Sequence, residues 1–145
     1  AHLGRAASEA GGGPDADGAT LLAGKTVAIW GLSFKPETDD IRDSASLRLV
    51  RDLLARGATV SAYDPAAMDN ARREIPEIEY AEDVYSCVHG SDALVLATDW
   101  NQFRKLDLGR LEQTMRAKNF IDLRNLYEPA EMRRLGWNYV GLGRS

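Results

Sequence analysis

The chain has 145 residues, 44% of them hydrophobic, and a formal net charge of −4. That suits one compact domain with a sizeable core, and the acidic balance excludes a general binder of nucleic acid, whose phosphate backbone demands a basic face. A lone cysteine, Cys87, excludes an internal disulfide and a multi-thiolate zinc site and fits a reducing, cytoplasmic setting. No apolar run approaches the roughly 18–20 residues needed to cross a bilayer, so neither a membrane span nor a secretory leader is expected.

Residues 1–24 carry Gly11-Gly12-Gly13-Pro14 and Asp15-Ala16-Asp17-Gly18 and hold few large apolar side chains, which predicts a flexible linker or lead-in. A chain opening this way is expected to be a domain taken from a longer protein, with residues 25–145 as the folded unit. Thr26 to Leu32 reads as a first strand. Leu47, Val50, Leu53 and Leu54 then recur at helical spacing, predicting a helix over 44–56 with Ser44 as N-cap and Gly57 just past its end. Thr59 to Tyr63 is a second strand closed by Asp64-Pro65, followed by a short polar helix over 66–74 and an edge strand at Ile78 to Ala81. A helix over 83–89 stops at Gly90. Ala93 to Thr98, with Leu94-Val95-Leu96, is apolar on both faces and therefore a central strand. A helix over 108–115, a strand from Asn119 to Leu123, a helix over 129–135 and a last strand from Tyr139 to Leu142 complete the chain. Short strands alternating with helices need crossover connections. The expected fold is therefore α/β: a doubly wound, mostly parallel, six-stranded Rossmann-like sheet with helices on both faces.

Ligands of such sheets sit outside the carboxyl ends of the strands, which directs attention to the loop after the first strand. A dinucleotide site would show G-x-G-x-x-G there; Gly31-Leu32-Ser33-Phe34-Lys35-Pro36 lacks the second and third glycines and offers side chains instead of bare backbone. Asp64 stands where a ribose-binding acid would, but a turn-forming Asp before Pro explains it better. Lys35 and Arg42 flank Asp39-Asp40, so the four either neutralise one another or offer two cations to an anionic ligand, Lys35 as a point charge and Arg42 as a planar fork. Arg124 leaves the carboxyl end of another strand and favours the second alternative. Phe34 and Trp100 are candidate walls for a base, or ordinary packing. Cys87 and His89 lie two apart on a helix, facing different ways, and form no nucleophile and base pair; no metal-ligand rhythm is present, so neither catalytic nor metal residues are expected.

The runs GKTVAIWGLSFKPETDDIRDSAS, VSAYDP, ALVLATDWNQFRKLD, FIDLRNLY and YVGLGR, in this order over Leu22 to Arg144, resemble the C-terminal UDP-binding domain of the UDP-glucose 6-dehydrogenase family. The resemblance implies a parent enzyme with an N-terminal NAD-binding domain and a central dimerisation helix as this domain's partners. It implies that Phe34, Lys35 and Arg124 contact the UDP moiety of UDP-glucose and that Arg42 reaches towards NAD. The parent reaction it implies is oxidation of the sugar C6 alcohol to a carboxylate, with two hydrides passed to two NAD. The family's nucleophilic cysteine has no match here, so the fragment is expected to be inactive alone. Thr98 to Asn101 resembles the UDP-glucose branch more than the UDP-N-acetylmannosamine or GDP-mannose branches. A phospho-receiver domain is the rival from another class, with Asp39-Asp40, Asp64 and Thr98 as its acidic pair, acceptor and hydroxyl; an NAD-binding module is a weaker one.

Overall fold

The computed structural model describes residues 22–33, 39–42, 44–98, 100–104 and 106–141. The chain enters at the middle of the sheet, because strand β1 (Thr26–Trp30) is apolar on both sides: Val27 and Ile29 belong to one buried cluster, Ala28 and Trp30 to another. Helix α1 (Ala45–Ala55) returns antiparallel to β1 and delivers β2 (Thr59–Tyr63). Helix α2 (Met68–Glu74) delivers the two-residue edge strand β3 (Glu79–Tyr80). The chain then crosses the sheet through α3 (Val84–Val88) to β4 (Ala93–Leu96), makes a 3₁₀ turn at Asn101–Arg104, and continues through α4 (Leu108–Thr114), β5 (Asn119–Asp122), α5 (Pro129–Arg134) and β6 (Asn138–Gly141).

All six strands pair in parallel in the order β3-β2-β1-β4-β5-β6. Right-handed crossovers force the consequence: winding outward from β1 to β3 places α1 and α2 on one face, and winding outward from β4 to β6 places α4 and α5 on the other. The two core clusters follow that division. Leu47 and Val50 of α1 and Ala71 of α2 pack with Val27, Ile29 and Val60; Cys87 of α3, Leu111 of α4 and Met132 of α5 pack with Trp30, Leu94 and Phe120. This order also removes the phospho-receiver alternative, whose five strands run 2-1-3-4-5.

The strand bounds differ from the sequence expectations by one or two residues, for a backbone reason. Leu32 and Thr98 extend apolar runs, but Gly31 turns the chain out of the sheet at φ +102, and β4 ends at Leu96 beside it. The 3₁₀ turn was not foreseen. It is pinned by Phe103, fully buried and stacked on Trp30 with ring centroids 5.3 Å apart. Trp30 and Phe120 meet edge to face at 6.4 Å, so this aromatic layer fixes the loop after β4 to the centre of the sheet. Among the described residues no helix is long and apolar enough to cross a membrane.

Candidate functional site

The order reverses between β1 and β4, and the crevice beyond their carboxyl ends is the place such sheets bind ligands. The start of the β1 loop is held there from four directions. Gly31 N–H donates to the Tyr63 carbonyl (2.8 Å) and Leu32 N–H to Asp64 Oδ2 (2.7 Å). The Leu32 carbonyl accepts from Ser44 Oγ (2.6 Å), and the Ser33 carbonyl accepts from Thr98 Oγ1 (3.1 Å). Asp64 is fully buried, and its other oxygen accepts Ala66 N–H and Ala67 N–H at 2.8 Å each. It is thus the turn-forming acid before Pro65, spent on three backbone donors and unavailable to a ribose or a phosphoryl group. Ser44 caps α1, accepting Leu47 N–H (3.3 Å) while donating to Leu32. Ser44→Ala therefore severs both the helix cap and the loop anchor, and is expected to cost about 2 kcal/mol, read as a shifted midpoint in urea denaturation with an unchanged slope.

Beyond this base the loop carries Phe34 and Lys35, which lie outside the described residues, as does Thr38. The loop's return is described. Arg42 forks onto Asp40, with Nε to Oδ1 at 3.0 Å and NH2 to Oδ2 at 2.8 Å, while its side chain stays 86% exposed. Asn70 of α2 donates to the Asp39 carbonyl (2.8 Å). For Asp40 and Arg42, mutual neutralisation is what the geometry contains; an exposed pair of this kind contributes little to stability, so it leaves the guanidinium at the rim.

Two strands away, about 10 Å along the same edge, Arg124 follows β5. Its guanidinium is exposed, and Asp122 organises the turn that carries it. Asp122 is fully buried: Oδ1 accepts Arg124 N–H (3.0 Å), and Oδ2 accepts Leu126 N–H (2.8 Å), Tyr127 N–H (3.0 Å) and Tyr139 O–H (2.6 Å). The left-handed Asn125 (φ 56) lets the turn wrap around that carboxylate. Tyr127 in turn donates to the Phe103 carbonyl (2.5 Å), tying the β5 turn to the 3₁₀ turn after β4; burial, reinforced by the Asp122 charge, pushes its phenol well above the usual range, so it remains a donor. Sequence reasoning named Arg124 and missed Asp122. The available signal was an acid inside the otherwise apolar run Phe120-Ile121-Asp122-Leu123, which a strand tolerates only when the acid has donors to receive.

Trp100 packs half-buried against the cluster of Trp30 and Phe103. Cys87 is fully buried beneath the sheet, within reach of the Ser61 carbonyl (3.5 Å), and burial pushes its thiol up to about 12, so it is no thiolate at neutral pH. Among the described residues no group of three or more His, Cys, Asp or Glu stands ready to hold a metal ion.

Residues 28–129 match the family model described as the UDP-glucose/GDP-mannose dehydrogenase family, UDP binding domain. The chain belongs to this family. The UDP-binding domain is 44% identical over 123 residues to the UDP-glucose 6-dehydrogenase of Rhizobium meliloti, covering 85% of this chain and 28% of that relative. It is 45% identical over 127 residues to the Pseudomonas aeruginosa enzyme of the same name, covering 83% and 28%. Among solved structures, a UDP-glucose dehydrogenase from Pyrobaculum islandicum superposes with a TM-score of 0.71 at 32% identity, over 99% of this chain and 30% of that one. An NDP-N-acetyl-D-galactosaminuronic acid dehydrogenase from Methanosarcina mazei gives 0.73 at 28% identity, over 99% and 28%. The UDP-binding domain thus spans under a third of the length of the proteins it matches.

Proposed function

We propose that this domain grips the uridine diphosphate of UDP-glucose for an NAD-dependent UDP-glucose 6-dehydrogenase, with Phe34, Lys35 and Arg124 on the UDP moiety and Arg42 at the side facing NAD. The remaining partners in this proposal are an N-terminal NAD-binding domain and a dimerisation helix. The observation that carries it is the shared edge: the base of the Lys35 loop, locked by Asp64, Ser44 and Thr98, and the Arg124 turn, locked by Asp122, project from the same carboxyl end of one sheet. Two cations from neighbouring strand ends suit a diphosphate better than one, because each can meet its own phosphate through a charge-assisted contact.

The domain's share of the reaction is positional. Holding the nucleotide end of the substrate determines where C6 of the sugar falls, and binding energy from that remote handle lowers the barrier by fixing the reacting groups in register. NAD, when bound to the rest of the enzyme, supplies the hydride acceptor. The nucleophile belongs there too, so the isolated domain reduces no NAD.

In the full-length enzyme, Lys35→Ala and Arg124→Ala are each expected to raise the KM for UDP-glucose more than about tenfold, the scale of one lost charge-assisted contact, with kcat changing less. An unchanged KM in both variants removes this edge from the substrate site. Stronger discrimination against GDP-mannose than against UDP-N-acetylmannosamine at the KM level is expected for a pocket that reads the pyrimidine.

A further inference from the structure

On the α1 and α2 face, adjoining the returning β1 loop, a cleft of about 580 Å³ opens between the two helices, lined among others by Arg42, Arg48, Arg51, Arg73 and Glu74. Four guanidiniums converge there in a chain whose net charge is −4. Asp40 answers Arg42, and Glu74 answers Arg51 across the cleft at 3.8 Å, which ties α1 to α2. Arg48 on one wall and Arg73 on the other have no carboxylate partner among the described residues; Arg73 donates to Asn70 Oδ1, and Asn70 is held by the Asp39 carbonyl.

Local stability does not explain Arg48, whereas Arg73 sits in the last turn of α2, where the helix dipole favours a cation. Arg48 lies in the second turn of α1, near the positive end of the helix dipole, and the first turn holds no acid to offset it. Arg48 and Arg51 are three apart on one helix surface, a like-charge pair that weakens the helix. Residues that work against their own element are expected where a ligand supplies the missing charge.

We propose that this cleft is a second anion site, taking a small phosphorylated molecule with at least two phosphate groups that bridge Arg48 and Arg73. A cleft of this volume lies within the range of small-molecule sites, and two uncompensated guanidiniums on facing walls match two phosphates rather than one. The inference goes beyond the proposed function: it uses neither Lys35 nor Arg124, and Arg42, which lines the edge of the cleft, is not one of the two bridging residues.

Inorganic pyrophosphate titrated into the 145-residue chain by calorimetry at low ionic strength tests it. One-to-one binding is expected, weakening as sodium chloride is raised, since the guanidiniums are exposed to screening. Arg48→Gln and Arg73→Gln are each expected to lose roughly tenfold in affinity, as for one charge-assisted contact; Arg48→Gln is expected to melt at or above the unsubstituted chain, and Arg73→Gln slightly below it. Arg124→Gln is expected to bind as the unsubstituted chain does. Absence of binding at millimolar pyrophosphate overturns the site, and so does binding that survives Arg48→Gln and Arg73→Gln. Binding lost in Arg124→Gln alone moves the anion to the strand tips and equally overturns the cleft, without touching the proposal for UDP.

Discussion

Gly31→Ala is expected to lower the stability of the chain by about 3 kcal/mol and its melting temperature by roughly 12 °C, measured by thermal and urea denaturation. Two costs combine. At φ +102 an L side chain is strained, and an added Cβ meets Thr98 Cβ and Oγ1 at 2.4 Å and the Thr98 backbone nitrogen at 2.7 Å. The backbone nitrogen decides the outcome, because trimming the Thr98 side chain to Ala relieves only part of the overlap; the double variant is expected to remain close to the single one. Gly24 supplies the control. It has φ +83 but open space around it, so Gly24→Ala carries the conformational cost alone, about 1 kcal/mol. Equal losses at both positions contradict the close approach of the β1 and β4 loops.

Asp122→Ala has the larger expected effect, about 4 kcal/mol. It strips the acceptor from three backbone N–H groups and the Tyr139 hydroxyl, and each buried donor left unpaired costs about 1–3 kcal/mol, partly recovered by entering water. Asp122→Asn separates structure from function. An amide oxygen at the Oδ2 position keeps Leu126, Tyr127 and Tyr139 and leaves only Arg124 N–H facing an NH2 group. That variant is expected to stay folded with a loss of about 1–2 kcal/mol, yet to bind UDP several-fold more weakly because the turn beneath Arg124 is loosened. Unchanged stability in Asp122→Ala contradicts the role assigned to this carboxylate.

The architecture was readable because the central strands announced themselves by their apolar runs and by the turn residues that closed them. Thr59 to Tyr63 before Asp64-Pro65 is the clearest case. Handedness gave the doubly wound architecture, and the central position of β4 followed from its lack of alternation; the order of the strands, with β1 beside β4, came from the fold itself. Ends were less readable. Leu32 belongs to the apolar run by composition and to the loop by geometry, since the backbone turn at Gly31 precedes it, and hydrophobicity alone carries no trace of that turn. The 3₁₀ turn at Asn101–Arg104 is held by tertiary stacking of Phe103 on Trp30, a contact between residues more than seventy positions apart that no local pattern encodes.

Of the site, single cations were legible and their supports were not. Arg124 stood out as a charge after an apolar strand; the carboxylate that fixes its turn draws its partners from β6 and from the segment after β5, which only the fold assembles. Asp64 carried two meanings in sequence, ribose acid or turn acid, and its bond to Leu32 N–H across 32 positions resolves them in favour of the turn. Asp39-Asp40 showed the same ambiguity. The Asp40 fork on Arg42 accounts for one of these acids, and the Asn70 bond to the Asp39 carbonyl shows that α2, not charge alone, fixes this part of the loop.

The central claim is that a nucleoside diphosphate binds across the carboxyl ends of β1 and β5. Amide chemical-shift mapping of the isotopically labelled chain during a UDP titration tests it most directly. The shifts are predicted to concentrate at Leu32, Ser33, Thr98 and Arg124 to Tyr127, and to vanish in Arg124→Ala. Shifts confined to the opposite edge of the sheet, around Lys25, Asp92 and Lys118, or a titration that Arg124→Ala leaves unaltered, contradict it.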